Sequence, residues 1–185
     1  MNSIAIQSFG HAIRDAIDLL DHFDSLNKNP PPPQAEVLKR ASLVMALAAL
    51  ETYVEDRITE AAESIANQIS DQGRLASFYI SSLQNDLKYF HTPSADRIHA
   101  LFEKYLEINI EEGWRWNHYD PARARSELNQ IAKKRGDIAH RSLRPGQGGA
   151  HAVTRDNLRK HIRFIRDLVE ATDKYLATVL SGRQS

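Results

Sequence analysis

Residues 41–58 read ASLVMALAALETYVEDRI. Their apolar side chains belong to a longer series: Leu38, Ala41, Val44, Leu47, Leu50, Val54, Ile58, Ala61 and Ile65. Steps of three and four residues place them along one side of a helix. The spacing therefore predicts a long helix over roughly 34–70, broken by Ser70-Asp71-Gln72-Gly73. Upstream, Ile6, Phe9, Ile13, Ile17, Leu20 and Phe23 repeat in the same way and predict a helix over 3–26. Pro30 to Pro33 separate the two: proline lacks the amide hydrogen a helix needs, so 28–33 reads as a stiff connector. Downstream, Leu75, Phe78, Tyr79, Leu83, Leu87 and Phe90 give a shorter helix. Thr92-Pro93 reads as an N-cap with proline at the first helical position, opening a helix that runs to about 108. Residues 109–120 are aromatic and irregular. Asp120-Pro121 opens the next helix, with Leu128, Ile131 and Ile138 on its apolar side. Pro145 and the glycines after it make a flexible loop over 145–151, and Thr154 caps a last helix. No segment alternates with period two for long enough to propose a strand. The expected fold is all-α, a bundle of about five to six helices forming one domain over 1–181.

At 185 residues such a domain can bury a real core. The absence of cysteine excludes a disulfide scaffold and a thiolate metal site, and accords with a reducing cytosol. The N-terminal stretch lacks a basic n-region and a small-residue cleavage site, and no apolar run approaches the ~20 residues of a membrane span. A cytoplasmic protein without a membrane partner is expected.

The zero net charge conceals an uneven spread. Residues 1–70 hold ten acids against five bases, whereas residues 133–166 hold ten bases and only Asp137 and Asp156. A basic C-terminal third attracts polyanions; it can equally be a solvated face paired with the acidic N-terminal helices.

Several chemistries find no support. There is no phosphate-binding glycine loop and no nucleophile elbow. The eight histidines include no HExxH, so neither a metal nor another cofactor is expected. Glu51 and Glu55 stand one turn apart, a spacing met both in acid–base pairs and in solvated faces. Trp114, Trp116 and Tyr119 could stack on bases or pack into the core; packing is the commoner use.

Residues 135–141, RGDIAHR, bring together the groups that metal-free RNA cleavage needs. A histidine titrates near working pH and can exchange a proton with a ribose 2′-hydroxyl or a departing 5′ oxygen. An arginine stays charged and forks onto phosphate oxygens. Spacing alone is weak support, because composition predicts roughly 0.7 chance matches to Arg-x4-His in this chain. Helix geometry adds a constraint. Positions five apart point about 140° away from each other. Arg135 and His140 can meet at one phosphate only if the helix breaks at Gly136 or if two chains pair their motifs across a two-fold axis. The alternative is structural, with Arg135 in an ion pair with Asp137 or an N-terminal carboxylate and His140 at a helix C-terminus.

The setting of that segment, LNQIAKKRGDIAHRSLRPG at 128–146, resembles the HEPN superfamily of helical domains. It is most similar to the RiboL-PSP-HEPN branch associated with RNA-repair and phage-defence operons. Arg135, Ile138, Ala139 and His140 match the branch's pattern, and 41–58 resembles its long early helix, including Glu51 and Tyr53. Gly136 stands where the family usually has Asn, Asp or His, and Arg141 replaces the usual Gly. The resemblance implies a homodimer whose paired motifs line a cleft, acting as a metal-independent endoribonuclease, a toxin or defence effector. His140 would be general base or acid and Arg135 would stabilise the transition state. Asp137 and Glu51 would support them, while Lys133, Lys134, Arg141 and Arg144 would hold the RNA backbone. An antitoxin or operon-encoded protein partner is implied as well. The alternative within the family is an inactive HEPN dimer serving as a scaffold or as a partner- or RNA-binding module.

Overall fold

The computed structural model describes residues 3–26, 32, 35–68, 73–140 and 153–182, with positions 139 and 140 as backbone only. The expected connector at 28–33 (Pro32 apart), the loop at 145–151, Arg141 and Arg144 lie outside the described residues. Six α-helices follow one another: α1 (Ile4–Leu26), α2 (Ala35–Ala66), α3 (Arg74–Leu87), α4 (Ala95–Leu106), α5 (Pro121–His140) and α6 (Arg155–Gly182). A 3-10 turn at Ile110–Gly113 precedes α5. No strand occurs among the described residues, only an isolated antiparallel bridge between Trp116 and Tyr119. The all-α expectation therefore holds.

The helix centred on 41–58 is the axle of the bundle: α2 touches each of the other five helices. Its buried positions come as adjacent pairs, Ala46-Leu47, Ala49-Leu50, Tyr53-Val54 and Ala61-Ala62, so burial wraps more than one stripe. By contrast α1 buries a single stripe, Ala5, Phe9, Ile13, Ala16, Leu20 and Phe23, against α2. Small residues bring those two backbones close enough for Ser42 Oγ on α2 to donate to the Ala16 carbonyl at 2.6 Å.

Two expected caps stand where the sequence put them. Asp120 accepts from the Arg123 amide at 2.8 Å, and Thr154 accepts from the Asn157 amide at 3.2 Å. The cap of α4 is displaced. Ser94, in an extended conformation, accepts from the Arg97 amide, and the helix starts at Ala95. Asn129 of α5 explains the shift: its side chain takes the Ala95 amide at 2.9 Å, tying the start of α4 to α5.

A buried polar network joins α1, α2 and α6. Arg57 Nε donates to Asp173 at 2.8 Å, Ser3 Oγ donates to the same oxygen at 2.5 Å, and Glu60 accepts the Ala5 amide at 2.7 Å. Beside it, burial and then the Asp173 carboxylate push the Tyr53 phenol well above its usual range.

The aromatic stretch before α5 is packing material. Trp114 is fully buried and its Nε1 donates to Thr172 at 3.0 Å. Trp116 stacks on Tyr119, and both rings lie against Phe164 of α6. Gly113 makes this docking possible, since a Cβ there would overlap the Cβ and ring of Tyr175. Gly113→Ala is expected to destabilise the fold by about 1–3 kcal/mol, the usual cost of overpacking a tight contact. A urea unfolding curve measures it.

Candidate functional site around Arg135

Arg135 lies in the last part of α5, the helix opened by Asp120 and anchored inward by Ala124, Leu128, Ile131 and Ala132. The helix continues through Gly136 to His140 without a break. A break at Gly136 is thus excluded as the means of joining Arg135 to His140. Along one continuous helix, positions five apart lie about 140° from each other around the axis. Gly136 has open space around it: a Cβ would meet nothing within 4 Å. Gly136→Ala is therefore expected to stabilise the protein by about 0.5–1 kcal/mol, because alanine loses less backbone freedom in a helix than glycine. Thermal unfolding reads this as a rise in Tm.

Arg135 reaches across to the turn between α3 and α4, where its Nη1 donates to the His91 carbonyl at 3.1 Å. Arg97 of α4 approaches the same turn, its Nη1 standing 3.5 Å from the Tyr89 carbonyl. Glu51 of α2 faces this group from below. Its carboxyl is half-buried, and desolvation pushes it above the usual carboxylate range against the opposing pull of Arg135, His91 and Arg97. Glu55, one turn on, is raised chiefly by desolvation and then by the negative charge of Glu51. Helices α2, α4 and α5 and the α3–α4 turn thus assemble one carboxylate, two guanidinium groups and one imidazole.

Sequence reasoning named Glu51 and Arg135 separately, and the fold brings them together. It missed His91 and Arg97 as neighbours of Arg135. They lie 44 and 38 residues upstream of it in the chain, and no local spacing signals the contact. Asp137 is half-exposed on α5. Lys133 is exposed and makes no ion pair among the described residues. Lys134 points the other way, toward α6, where its Nζ meets His161 Nε2 at 3.2 Å. No group of three or more His, Asp or Glu side chains among the described residues is arranged to hold a metal ion.

His161 illustrates how spacing misleads. Arg155 and His161 form a second arginine–histidine pair in sequence, yet Arg155 is held by Asp24 at the end of α1 and His161 is 6% exposed. Desolvation, then the Lys134 charge, lower its pKa from 6.5 to about 4. At neutral pH the ring is therefore uncharged. Its Nδ1, 3.5 Å from Glu127, makes no hydrogen bond and no ion pair in that state. As pH falls from 6.5 toward 4, the unfolded chain takes up a proton that the folded chain refuses, so stability falls with pH. Between pH 7 and pH 5 wild type is expected to lose about 2 kcal/mol more than His161→Gln. Urea midpoints at the two pH values give the comparison.

A family model described as RiboL-PSP-HEPN matches residues 11–178, from within α1 to within α6. The chain belongs to the RiboL-PSP-HEPN family. No curated protein and no solved structure matches it. In this RiboL-PSP-HEPN chain the segment from Arg135 to His140 ends α5, which packs on the long α2. No helix among the described residues is long and apolar enough to cross a membrane.

Proposed function

We propose that this RiboL-PSP-HEPN protein is a metal-independent endoribonuclease that works as a homodimer in the cytoplasm. Arg135 of one copy and His140 of the other meet at the scissile phosphate. The observation that carries this reading is the unbroken α5: positions 135 and 140 of one continuous helix lie about 140° apart around its axis, so a shared phosphate calls for a second copy. His140 takes the proton from the ribose 2′-hydroxyl, or returns one to the 5′ oxygen. Arg135 neutralises charge on the phosphorane. Glu51 on α2 supplies a counter-charge to Arg135, and the His91 carbonyl fixes one of its five N–H groups. Lys133, with Arg141 and Arg144, carries the flanking backbone, whereas Lys134 is turned toward His161 of α6. In this reading the enzyme is a toxin or defence effector controlled by an antitoxin or another operon-encoded protein.

The chemistry dictates the products. Attack by the 2′ oxygen on phosphorus breaks the bond to the 5′ oxygen, leaving a 2′,3′-cyclic phosphate on one fragment and a 5′-hydroxyl on the other. The test is incubation of the purified dimer with single-stranded and structured RNA in excess chelator. Chelator-resistant cleavage with those termini is the expected result; intact RNA over a broad range of protein concentration rejects the proposal.

One observation favours a second reading, an inactive HEPN dimer used as a scaffold or binding module. Gly136 leaves unfilled the space where the family usually carries a polar side chain beside the arginine. If Gly136→Asn cleaves RNA and wild type does not, the scaffold reading holds.

A further inference from the structure

The aromatic side chains that could have stacked on RNA bases, Trp114, Trp116 and Tyr119, are consumed by packing against α6. Beside Arg135 the structure leaves a different ring in the open. Tyr89, in the turn after α3, is 77% exposed, among the most exposed large apolar side chains of the described residues. The next two residues of that turn are Phe90, which is buried and anchors it, and His91, which is exposed and whose carbonyl holds Arg135. Arg97 reaches the carbonyl of Tyr89 itself. Carbonyls two residues apart are separated by at most about 7 Å, so two guanidinium groups are gathered on one short piece of backbone. Of the nearby acids, Asp96 is engaged by Arg125 and Asn129 and Asp86 by Lys104, while Glu55 and Asp56 line a pocket on the Lys88 side of the turn; Glu51, half-buried on α2, is the carboxylate whose charge meets Arg135, His91 and Arg97. Asn129 and Ser94 tie down the start of α4, so the turn is a fixed surface.

We propose that the α3–α4 turn is the base-binding wall of the site: Tyr89 stacks on a nucleobase of single-stranded RNA while Arg97 and His91 hold the phosphate beside the one at Arg135. This rests on the ribonuclease reading for what Arg135 does, and adds the substrate's strandedness and the residues that read it. An aromatic face accepts every base, so the wall binds unpaired RNA with little sequence preference. A duplex, whose bases are already stacked, has no free face to offer.

Fluorescence anisotropy with a short labelled single-stranded RNA tests the wall, using the full-length chain carrying His140→Ala to keep the RNA whole. Adding Tyr89→Ala is expected to raise Kd about tenfold, while Tyr89→Phe, which keeps the ring, leaves it unchanged. Arg97→Ala is expected to raise Kd and to reduce the steepness of its salt dependence. A 5-iodouridine-substituted RNA is expected to cross-link to Tyr89. If Tyr89→Ala binds within about twofold of its parent, the proposal is overturned. It is also overturned if the parent binds no RNA, or if Tyr89→Ala converts a dimer to a monomer, which makes the ring a contact between copies. Cleavage by the chain with His140 intact is measured alongside. Unaltered binding and cleavage in Tyr89→Ala removes the wall and leaves the nuclease standing. Tyr89-dependent binding without any cleavage by wild type removes the nuclease and leaves the wall.

Discussion

Replacing His140 with alanine is expected to slow RNA cleavage by about 10²–10⁴-fold, the usual contribution of a positioned general acid or base. Arg135→Ala is expected to cost about 10²–10³-fold, in line with loss of one donor to a developing negative charge. Both losses belong in the rate of the chemical step under single-turnover conditions, because both groups act on charge that arises in the transition state. Arg135→Lys should recover only part of the loss: an ammonium keeps the charge but not the forked geometry, and it cannot hold the His91 carbonyl and a phosphate together. Arg135 is no part of the buried core, so the unfolding midpoint of Arg135→Ala should stay close to wild type. Equal cleavage by wild type and His140→Ala removes His140 from the mechanism.

The largest stability effect is expected at Asp173. Its carboxylate lies between Arg57 and Ser3, and both members of the ion pair are nearly closed to water, at 8% exposure for the Arg57 side chain and 9% for Asp173. Asp173→Ala strands the guanidinium in the core with only Glu60, 3.8 Å away, as a distant counter-charge. Losing one partner of a buried pair typically costs about 3–5 kcal/mol. For a domain of this size that corresponds to a fall in Tm of roughly 10 °C. Asp173→Asn keeps an acceptor for Arg57 and should lose less. The network also holds the start of α1 through Glu60 and Ser3, so hydrogen exchange near Ala5 and Ile6 should quicken in Asp173→Ala. An unchanged unfolding midpoint would show that Arg57 finds another partner.

The bundle was legible because apolar spacing reports burial directly. Phe9, Ile13, Leu20 and Phe23 occupy the stripe their spacing predicts, and Asp120 and Thr154 cap the helices they precede. The central place of α2 was harder to see, since pairs such as Ala46-Leu47 and Tyr53-Val54 blur a single stripe. Thr92-Pro93 misled because a good local cap lost to a tertiary one: Asn129 fixes the first helical amide at Ala95. The charge pattern was read correctly in part. Asp24 pairs with Arg155 and Arg159, and the first of these contacts holds its carboxyl below the usual range. Lys160, Arg163 and Arg166 make no ion pair among the described residues and remain exposed. At the site, Arg135 and Glu51 stood out as residue types, whereas His91, Arg97 and Tyr89 did not. Their importance comes from a turn that only the packing of α4 on α5 brings to Arg135.

The most direct test of the composite site uses two dead chains. Arg135→Ala and His140→Ala copies are co-expressed with different tags and purified through both tags, so that every dimer holds one of each. If one copy's Arg135 works with the other's His140, one of the two symmetry-related pairings is intact and the other has lost both groups. The account predicts cleavage at about half the wild-type rate from this heterodimer, with each homodimer inactive. A heterodimer as inactive as its two parents, beside a wild-type dimer that cleaves, would contradict it.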